Sequence, residues 1–320
     1  MPRKAKDQAK ALEQTVIRSF RDLENYPRKL LLACSGGVDS VVLLEVLFRI
    51  RRLLKLELVV AYVHHGPGAK FYRNKAQALV QMLAKSHNLE FLTNLDRPKK
   101  ALKSEAEFRE FRWQHLQAWR AQHDCQSIVV AHHLEDLLET RMMRLIRGTG
   151  AQGFSCMAHM SFRDKIFRPL LLTRKRELMA YAELRELPFV ADPSNFKTDA
   201  FRNWIRKWLA GLERRHPGGT RNLIRSLSDL AQELEMHSPS PEDRVMTAGA
   251  INRREFVVAA RTAKKSALAR YCVELGVKNY TQGHIQELLR RLDVAENDFT
   301  FELLNCVWRV SPDLIRASRV

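Results

Sequence analysis

The sequence predicts an α/β fold, a parallel sheet flanked by helices, followed by a smaller and mostly helical C-terminal domain. Three observations carry that expectation. Leu30 to Cys34 is an unbroken apolar run of strand length, and beyond Ser35–Ser40 the run Val41–Leu47 reads as the start of a helix. Strand-like runs recur at Leu56–Val63, Leu89–Asn94 and Ser127–Ala131, separated by stretches of helical patterning. From Ile251 onwards the pattern is helix over Lys264–Leu275 and Thr281–Leu292, then two short strands near Phe299–Leu303 and Cys306–Val310.

Taken in order, residues 11–26 read as an amphipathic helix leading into a strand at 28–34. The loop that follows is Ser35-Gly36-Gly37-Val38-Asp39-Ser40. Its two glycines permit positive φ and carry no Cβ, so successive backbone N–H groups can close on an anion at the helix N-terminus. That is a phosphate cradle. It is not of the Walker type, since GxxxxGK[ST] is missing and no Lys follows the second glycine. The bland alternative is a Gly-Gly turn between strand and helix. The helix runs to about Leu54, and the strand Leu56–Val63 ends in His64-His65-Gly66-Pro67-Gly68. Ligands bind at strand-end loops of parallel sheets, so this motif should face the same crevice as the glycine loop. Taken alone, His64 and His65 would be loop residues without chemistry. A polar helix near Tyr72–Lys85 precedes the third strand, and Ser104-Glu105 opens a helix through Arg109, Arg112 and Trp113. Arg109 and Arg112 share one helical face, either as solvated charges or as phosphate contacts.

Ser127–Ala131 runs into His132-His133-Leu134-Glu135-Asp136-Leu137-Leu138-Glu139-Thr140. Leu134, Leu137, Leu138, Met142 and Leu145 form one side of a helix, expected to pack on the sheet. His132, Asp136, Glu139, Thr140 and Met143 line another, which sets a candidate base and carboxylates beside the strand end. A metallohydrolase centre built on the histidines and Asp136 is an alternative that no HExxH spacing supports. Gly148, Gly150 and Gly153 break the helix into a loop able to pass close to a ligand. Arg168-Pro169-Leu170-Leu171 leads to a helix over about Arg174–Leu187, and Asp192-Pro193-Ser194-Asn195 is an Asx and Pro turn. From Lys197 to Arg225 eight basic residues stand against two acidic ones. Such a run is a solvated face by default, but the interleaved Trp204 and Trp208 suit a surface that meets RNA.

Composition supports that partner. With 54 Lys and Arg against 36 Asp and Glu, the 320-residue chain carries a formal charge of +18 and a pI near 10.0. Basic side chains gain affinity by releasing counterions from a phosphate backbone, so nucleic acid is the first candidate. A membrane surface comes second, and no apolar run approaches the ~18 residues of a spanning helix. The basic N-terminus lacks the apolar core of a secretory signal. Five cysteines without a CxxC pair favour a reducing cytosol, with neither a disulfide framework nor a thiolate zinc site. A boundary is expected between Leu209 and Gly219, giving segments 1–215, 216–245 and 246–320, the middle one a connecting helix and linker.

A strand, SGGxDS and a helix together resemble the pyrophosphate loop of the N-type ATP pyrophosphatases. The further order of VHHG, SEAEFREFRW, AHHLEDLLET, RGTGAQGF, FRPLL, DPSN and RNWIR is similar to that of the tRNA(Ile)-lysidine synthetases. The likeness is close from Leu30 to about Trp208. It is more general in the C-terminal part, with LARYCVELGV and TQGHIQELLRRL. This resemblance implies a Rossmann-like PP-loop catalytic domain over 1–215 and a tRNA-binding domain over 246–320. It implies a cytoplasmic ligase that uses ATP and Mg2+ to adenylate the wobble cytidine of the CAU-anticodon isoleucine tRNA. L-Lysine is then joined to C2 of that base, releasing AMP, after pyrophosphate has left. Carried over by motif, Ser35, Gly36, Gly37, Val38, Asp39 and Ser40, with His65, Arg109 and Arg112, would bind the nucleotide, and Asp39 would hold the metal. His132, His133, Asp136 and Glu139 would surround lysine, metal and base, while Asn195, Arg202 and Arg206 would lie near the base and phosphates. Four positions depart from the family pattern: His64 stands where Asn or Asp is usual, Pro67-Gly68 replaces Leu-Arg, and Glu135 replaces Asp. The rival readings are a tRNA thiolase of the same class, which would need paired cysteines, and a non-catalytic RNA-binding protein. Oligomeric state is open, a homodimer being one option.

Overall fold

The structure is a computed structural model that describes residues 3–66, 70–96, 104–148, 160–161, 164–191, 200–236, 245–247, 249–277, 280–292 and 298–319. It divides into two compact units, one of Met1–Glu139 with Met157–Ala210, the other of Thr140–Cys156 with Gly211–Val320.

In the first unit, β1 (Lys29–Ala33) is the central strand, and its Leu30, Leu31 and Leu32 are wholly buried. It pairs in parallel with β2 (Glu57–Tyr62) on one side and β4 (Ser127–Val129) on the other, Leu31 facing Val59 and Ile128 across the two ladders. A strand with neighbours on both edges and helices on both faces must be apolar throughout, which is why it reads as a continuous run. Leu30 and Leu32 point into one layer with α1 (Arg3–Arg21) and α2 (Val38–Leu54), and Leu31 into the other with Leu116 of α4 (Glu105–Gln122). The remaining members are α3 (Lys70–Ser86), β3 (Glu90–Thr93), β5 (Met160–Ser161), β6 (Ile166–Phe167) and α6 (Lys175–Leu184).

Sheet order is β3-β2-β1-β4-β6-β5, with every pairing parallel except β5 with β6. The chain steps outward from β1 to β3 and then returns to the other side of β1 as β4. The order therefore reverses between β1 and β4, and the loops after those two strands open side by side at their carboxyl ends, where such sheets bind ligands.

Helix α1 starts eight residues earlier than 11 and stops at Arg21. Its buried stripe of Ala9, Leu12, Val16 and Phe20 has helical spacing that the basic N-terminal residues obscured. The apolar side expected on α5 (Leu134–Ile146) also differs. Leu134, Leu137 and Leu138 are buried, but Leu145 is exposed and Met143 is buried instead. The next position on the leucine face is Arg141, whose guanidinium donates to Ser228 Oγ at 2.7 Å. A buried polar partner, not another apolar side chain, continues the stripe.

Helix α7 (Ala200–Arg215) crosses the division between the units, and α8 (Gly219–Met236) belongs to the second. The second unit also holds an antiparallel sheet of order β7-β8-β11-β10-β9: Met246–Thr247, Ala250–Asn252, Leu314–Arg319, Cys306–Val310 and Phe299–Leu303. Helices α9 (Arg253–Val258), α10 (Arg261–Glu274) and α11 (Gln282–Leu292) share its core with Trp308, Tyr271, Phe256 and Leu288. Sequence reasoning expects two strands in this unit, and the described residues hold three more. Leu314–Arg319 was obscured because its outward positions are charged or polar, and only Ile315 is fully buried.

Candidate active site

The loop after β1 is shaped from within. Gly36 adopts φ +80°, and a Cβ built on it would lie 3.2 Å from Ala76 Cβ and 3.3 Å from the Ala76 carbonyl oxygen. Gly37 is different. It is the N-cap of α2 with φ −75°, and a Cβ there meets only Ser35 Oγ at 3.5 Å. The positive-φ argument therefore applies to Gly36 alone, while at Gly37 the missing side chain leaves open space beside the turn. Ser40 is buried and braces the loop. Its hydroxyl donates to the Gly37 carbonyl at 2.8 Å and accepts from the Ser35 N–H at 3.2 Å, and its oxygen lies 3.2 Å from Ser35 Oγ. Val190 N–H donates to the Gly36 carbonyl at 2.9 Å, tying the chain after α6 to the loop. Asp39 lies in the first turn of α2, where the helix dipole favours an anion.

The loop after β4 brings its own acids. His133 caps α5: its backbone N–H donates to Asp136 Oδ2 at 3.1 Å, and its carbonyl accepts from Leu137 N–H at 3.2 Å. The imidazole is buried, with Nδ1 2.9 Å from Glu135 Oε2 and Nε2 3.6 Å from Asp136 Oδ2 and 3.9 Å from Asp39 Oδ2. Asp39 and Asp136, from helices that follow different strands, thus meet at one nitrogen. Burial alone would lower the His133 pKa, but the Glu135 carboxylate 2.9 Å from Nδ1 and the surrounding Asp136 and Asp39 carboxylates outweigh it and raise it above 6.5. Burial would in turn raise Glu135, and its bonds to His133 and the Lys175 N–H bring it below the usual carboxylate value. His132 behaves oppositely. Burial first, then Arg168, Arg112 and Arg109 against the pull of Asp136, hold it down at about 4. Its Nδ1 accepts from Arg168 Nε at 3.3 Å, so the neutral ring carries its proton on Nε2.

A third group lies one turn along α5. Glu139 is 4% exposed and accepts from Arg206 Nε at 2.7 Å, with Arg202 Nε at 3.8 Å. Its carboxyl sits above the ordinary value because burial outweighs the arginines. The loop after β2 contributes less directly. His64 is fully committed: its N–H donates to Asn94 Oδ1 at 2.7 Å, Nδ1 accepts from Gly66 N–H at 3.1 Å, and Nε2 lies 3.0 Å from Asn74 Oδ1. It is therefore a scaffold residue. His65 packs edge-on against Phe108 at 5.3 Å and is held at about 4 by burial and by Arg112 and Arg73. The charge of Arg112 acts on both His65 and His132, and that of Arg109 on His132, so the arginine face of α4 looks towards these loops.

The structure thus gathers Asp39, His132, His133, Asp136 and the Glu139, Arg202 and Arg206 group around the ends of β1 and β4. Asn195 lies outside the described residues, as do Pro67, Gly68, Gly150, Gly153, the 192–195 turn and the 237–243 linker. Sequence reasoning missed Lys175. Its Nζ donates to both carboxylate oxygens of Asp39, at 2.6 and 2.7 Å, and its backbone N–H donates to Glu135 Oε2 at 3.0 Å. The available signal was Arg174-Lys175-Arg176, three cations at a helix N-terminus where the dipole disfavours them. The donor set suits a Mg2+ ion shared with phosphates. Among the described residues no group of three or more His, Cys, Asp or Glu side chains could hold a metal, and Mg2+ is commonly held by one or two carboxylates plus substrate phosphates.

Comparison with known proteins gives a consistent result. A model of the PP-loop domain family matches residues 7–212. A tRNA(Ile)-lysidine synthase of Bdellovibrio bacteriovorus is 38% identical over 294 residues, covering 90% of this chain and 91% of that protein. One of Nitrosomonas europaea is 31% identical over 298 residues, covering 86% of this chain and 61% of the relative. The chain therefore spans nearly the whole of the first relative and about three-fifths of the second. Among solved structures it is similar to the U34-tRNA thiolase NcsA from Methanococcus maripaludis, with TM-score 0.60 and 20% identity, over 71% of this chain and 80% of that one. That likeness concerns the fold alone.

Proposed function

Because the chain belongs to the tRNA(Ile)-lysidine synthase family of PP-loop proteins, we propose a division of labour among its residues for the ATP-dependent joining of lysine to the wobble cytidine of tRNA(Ile). The observation that carries it is the meeting of Asp39 and Asp136 at His133 Nε2, beside the glycine loop.

The carbonyl oxygen at C2 of cytosine is a poor leaving group. It attacks the α-phosphorus of ATP, the co-substrate, and pyrophosphate leaves. The amine of L-lysine then attacks C2 and AMP leaves. Residues Ser35–Ser40 cradle the phosphates, with Ser40 and Val190 fixing the loop. Asp39 would hold Mg2+, which when bound neutralises phosphate charge. Arg109, Arg112 and His65 are assigned to the nucleotide, Arg202, Arg206 and Asn195 to the base and phosphates. Asp136 and Glu139 orient the amine. Of the two histidines His132 is the weaker base, since it is held at about 4 and its Nδ1 already accepts from Arg168. The proton lost by the amine is assigned to His133, whose basicity the flanking carboxylates raise.

Residues 1–215 form the proposed catalytic domain, 216–245 its connection and 246–320 the tRNA-binding domain. The exposed Trp204 and Trp208 with Lys207 on α7 would meet the RNA. Among the described residues no helix is long and apolar enough to cross a membrane, and a cytoplasmic site of action is part of the proposal. The thiolase reading is weaker. The cysteines among the described residues, Cys34, Cys125, Cys272 and Cys306, are buried free thiols whose pKa values burial raises, Cys272 to about 12, whereas sulfur transfer calls for accessible thiolates. Pyrophosphate release measured during turnover tests the proposal. Release sustained beyond one equivalent per enzyme should require both tRNA and lysine, and Asp136→Asn should slow it. Wild-type rates of adenylation and lysine transfer in that variant would refute the role given to Asp136.

A further inference from the structure

Among the described residues, Lys175 is the one cation that grips both oxygens of the proposed metal-binding carboxylate. Its ammonium lies 2.6 and 2.7 Å from Asp39 Oδ1 and Oδ2. Neither side chain is sealed off: that of Lys175 is 38% exposed and that of Asp39 28%. The lysine is also held from behind, because its own N–H donates to Glu135 Oε2, the oxygen that faces His133 Nδ1. Leu134 N–H donates to the Thr173 carbonyl at 2.9 Å, so the turn before α6 is fastened to the start of α5. The cost of this placement is local. Lys175 sits between Arg174 and Arg176 at the first turn of α6, where only Glu177 is acidic, and a cation there opposes the helix dipole. No gain within α6 accounts for that arrangement. Its partner is 136 residues away in sequence, where the glycine loop enters α2.

We propose that Lys175 is a tethered counter-ion of the nucleotide site. Without nucleotide its ammonium neutralises Asp39 and competes with a divalent cation for the same two oxygens. When the metal arrives with the triphosphate, the ammonium exchanges Asp39 for phosphate oxygens, so one side chain opposes metal binding alone and favours metal with nucleotide. No covalent step is involved. The inference rests on the PP-loop reading of Ser35–Ser40 and adds to it an order of occupancy: metal enters with nucleotide, not before it.

The two halves of the claim have opposite signs, which separates them from a structural role. Mn2+ binding to the full chain without nucleotide, followed by electron paramagnetic resonance, should be about tenfold tighter in Lys175→Met than in the wild type, because a charged competitor is gone. Binding of Mn2+ with α,β-methylene-ATP, followed by calorimetry, should be about tenfold weaker in the same variant. Lys175→Gln keeps a donor to the carboxylate and loses the charge, so it should follow Lys175→Met in both assays. If the variants bind both probes more weakly, or bind Mn2+ alone no better than the wild type, the proposal is overturned. If the wild type itself does not bind the ATP analogue, the PP-loop reading fails, and this inference with it.

Discussion

Changing Gly36 to Ala separates the two glycines of the loop by physics. Gly36 has φ +80°, a left-handed conformation that costs an L-residue about 1–2 kcal/mol. The added methyl would also lie 3.2 Å from Ala76 Cβ and 3.3 Å from the Ala76 carbonyl oxygen, tighter than ordinary contact, against backbone of α3 that cannot swing away. Overpacking of that kind adds roughly 1–2 kcal/mol. The expected loss is about 2–4 kcal/mol, which lowers the melting temperature by roughly 5–15 °C in a unit of this size. Gly37→Ala is the control. With φ −75° and only Ser35 Oγ near, at 3.5 Å, it should stay within about 1 kcal/mol of the wild type. Urea unfolding gives the stabilities, and calorimetry with α,β-methylene-ATP gives the affinities. Both variants should bind the nucleotide poorly, the first because the loop is deformed and the second because a methyl occupies the cradle. A Gly36→Ala protein as stable as the wild type, or a Gly37→Ala protein that binds the nucleotide normally, would refute this account of the loop.

Three further outcomes follow from the same geometry. His65 and His132 are both held at about 4 in the folded chain against 6.5 when exposed, so each favours folding above pH 6.5 and loses that contribution as the pH falls towards 4, by roughly 3 kcal/mol apiece at most. His133, raised above 6.5, contributes below that pH and loses its share as the pH rises through its folded value; histidine NMR titration reads all three. Arg206→Ala removes the 2.7 Å donor of the buried Glu139 carboxylate, leaving it, among the described residues, only Arg202 at 3.8 Å, and should cost about 2–4 kcal/mol in urea unfolding, more than Glu139→Gln. Trp204 is 53% exposed and stacks at 6.0 Å on Phe201. Its replacement by Ala should leave stability within about 0.5 kcal/mol yet weaken tRNA binding by roughly tenfold or more, as loss of one stacked base does, and binding itself should fall steeply with salt.

How much of this was legible in the sequence depended on range. β1 could be read because a strand covered on both edges and both faces is apolar at every position, and Leu30–Cys34 is. The glycine loop and the acids after β4 could be read because motif and fold position coincide: each follows a strand flanking the point where the sheet order reverses. What the sequence hid was set by partners far along the chain. Lys175 looks like surface charge until its contact with Asp39 is seen, and Arg141 occupies a leucine face because Ser228 waits for it. Gly36 and Gly37 are the same letter with different φ, which only the contact with Ala76 tells apart. The central strand of the C-terminal sheet, β11, was missed because one of its faces carries Arg316 and Ser318, and alternation with so few apolar positions falls below recognition.

The central claim is that the loop Ser35–Ser40 and the acids meeting at His133 activate a tRNA base with AMP so that an amine can replace it. The most direct measurement is mass spectrometry of the nucleosides from CAU-anticodon isoleucine tRNA incubated with the full chain, ATP, Mg2+ and isotopically labelled lysine. The account predicts a cytidine carrying the whole labelled amino acid in place of its carbonyl oxygen, absent when ATP is omitted. An unmodified cytidine, or one carrying sulfur, would contradict it.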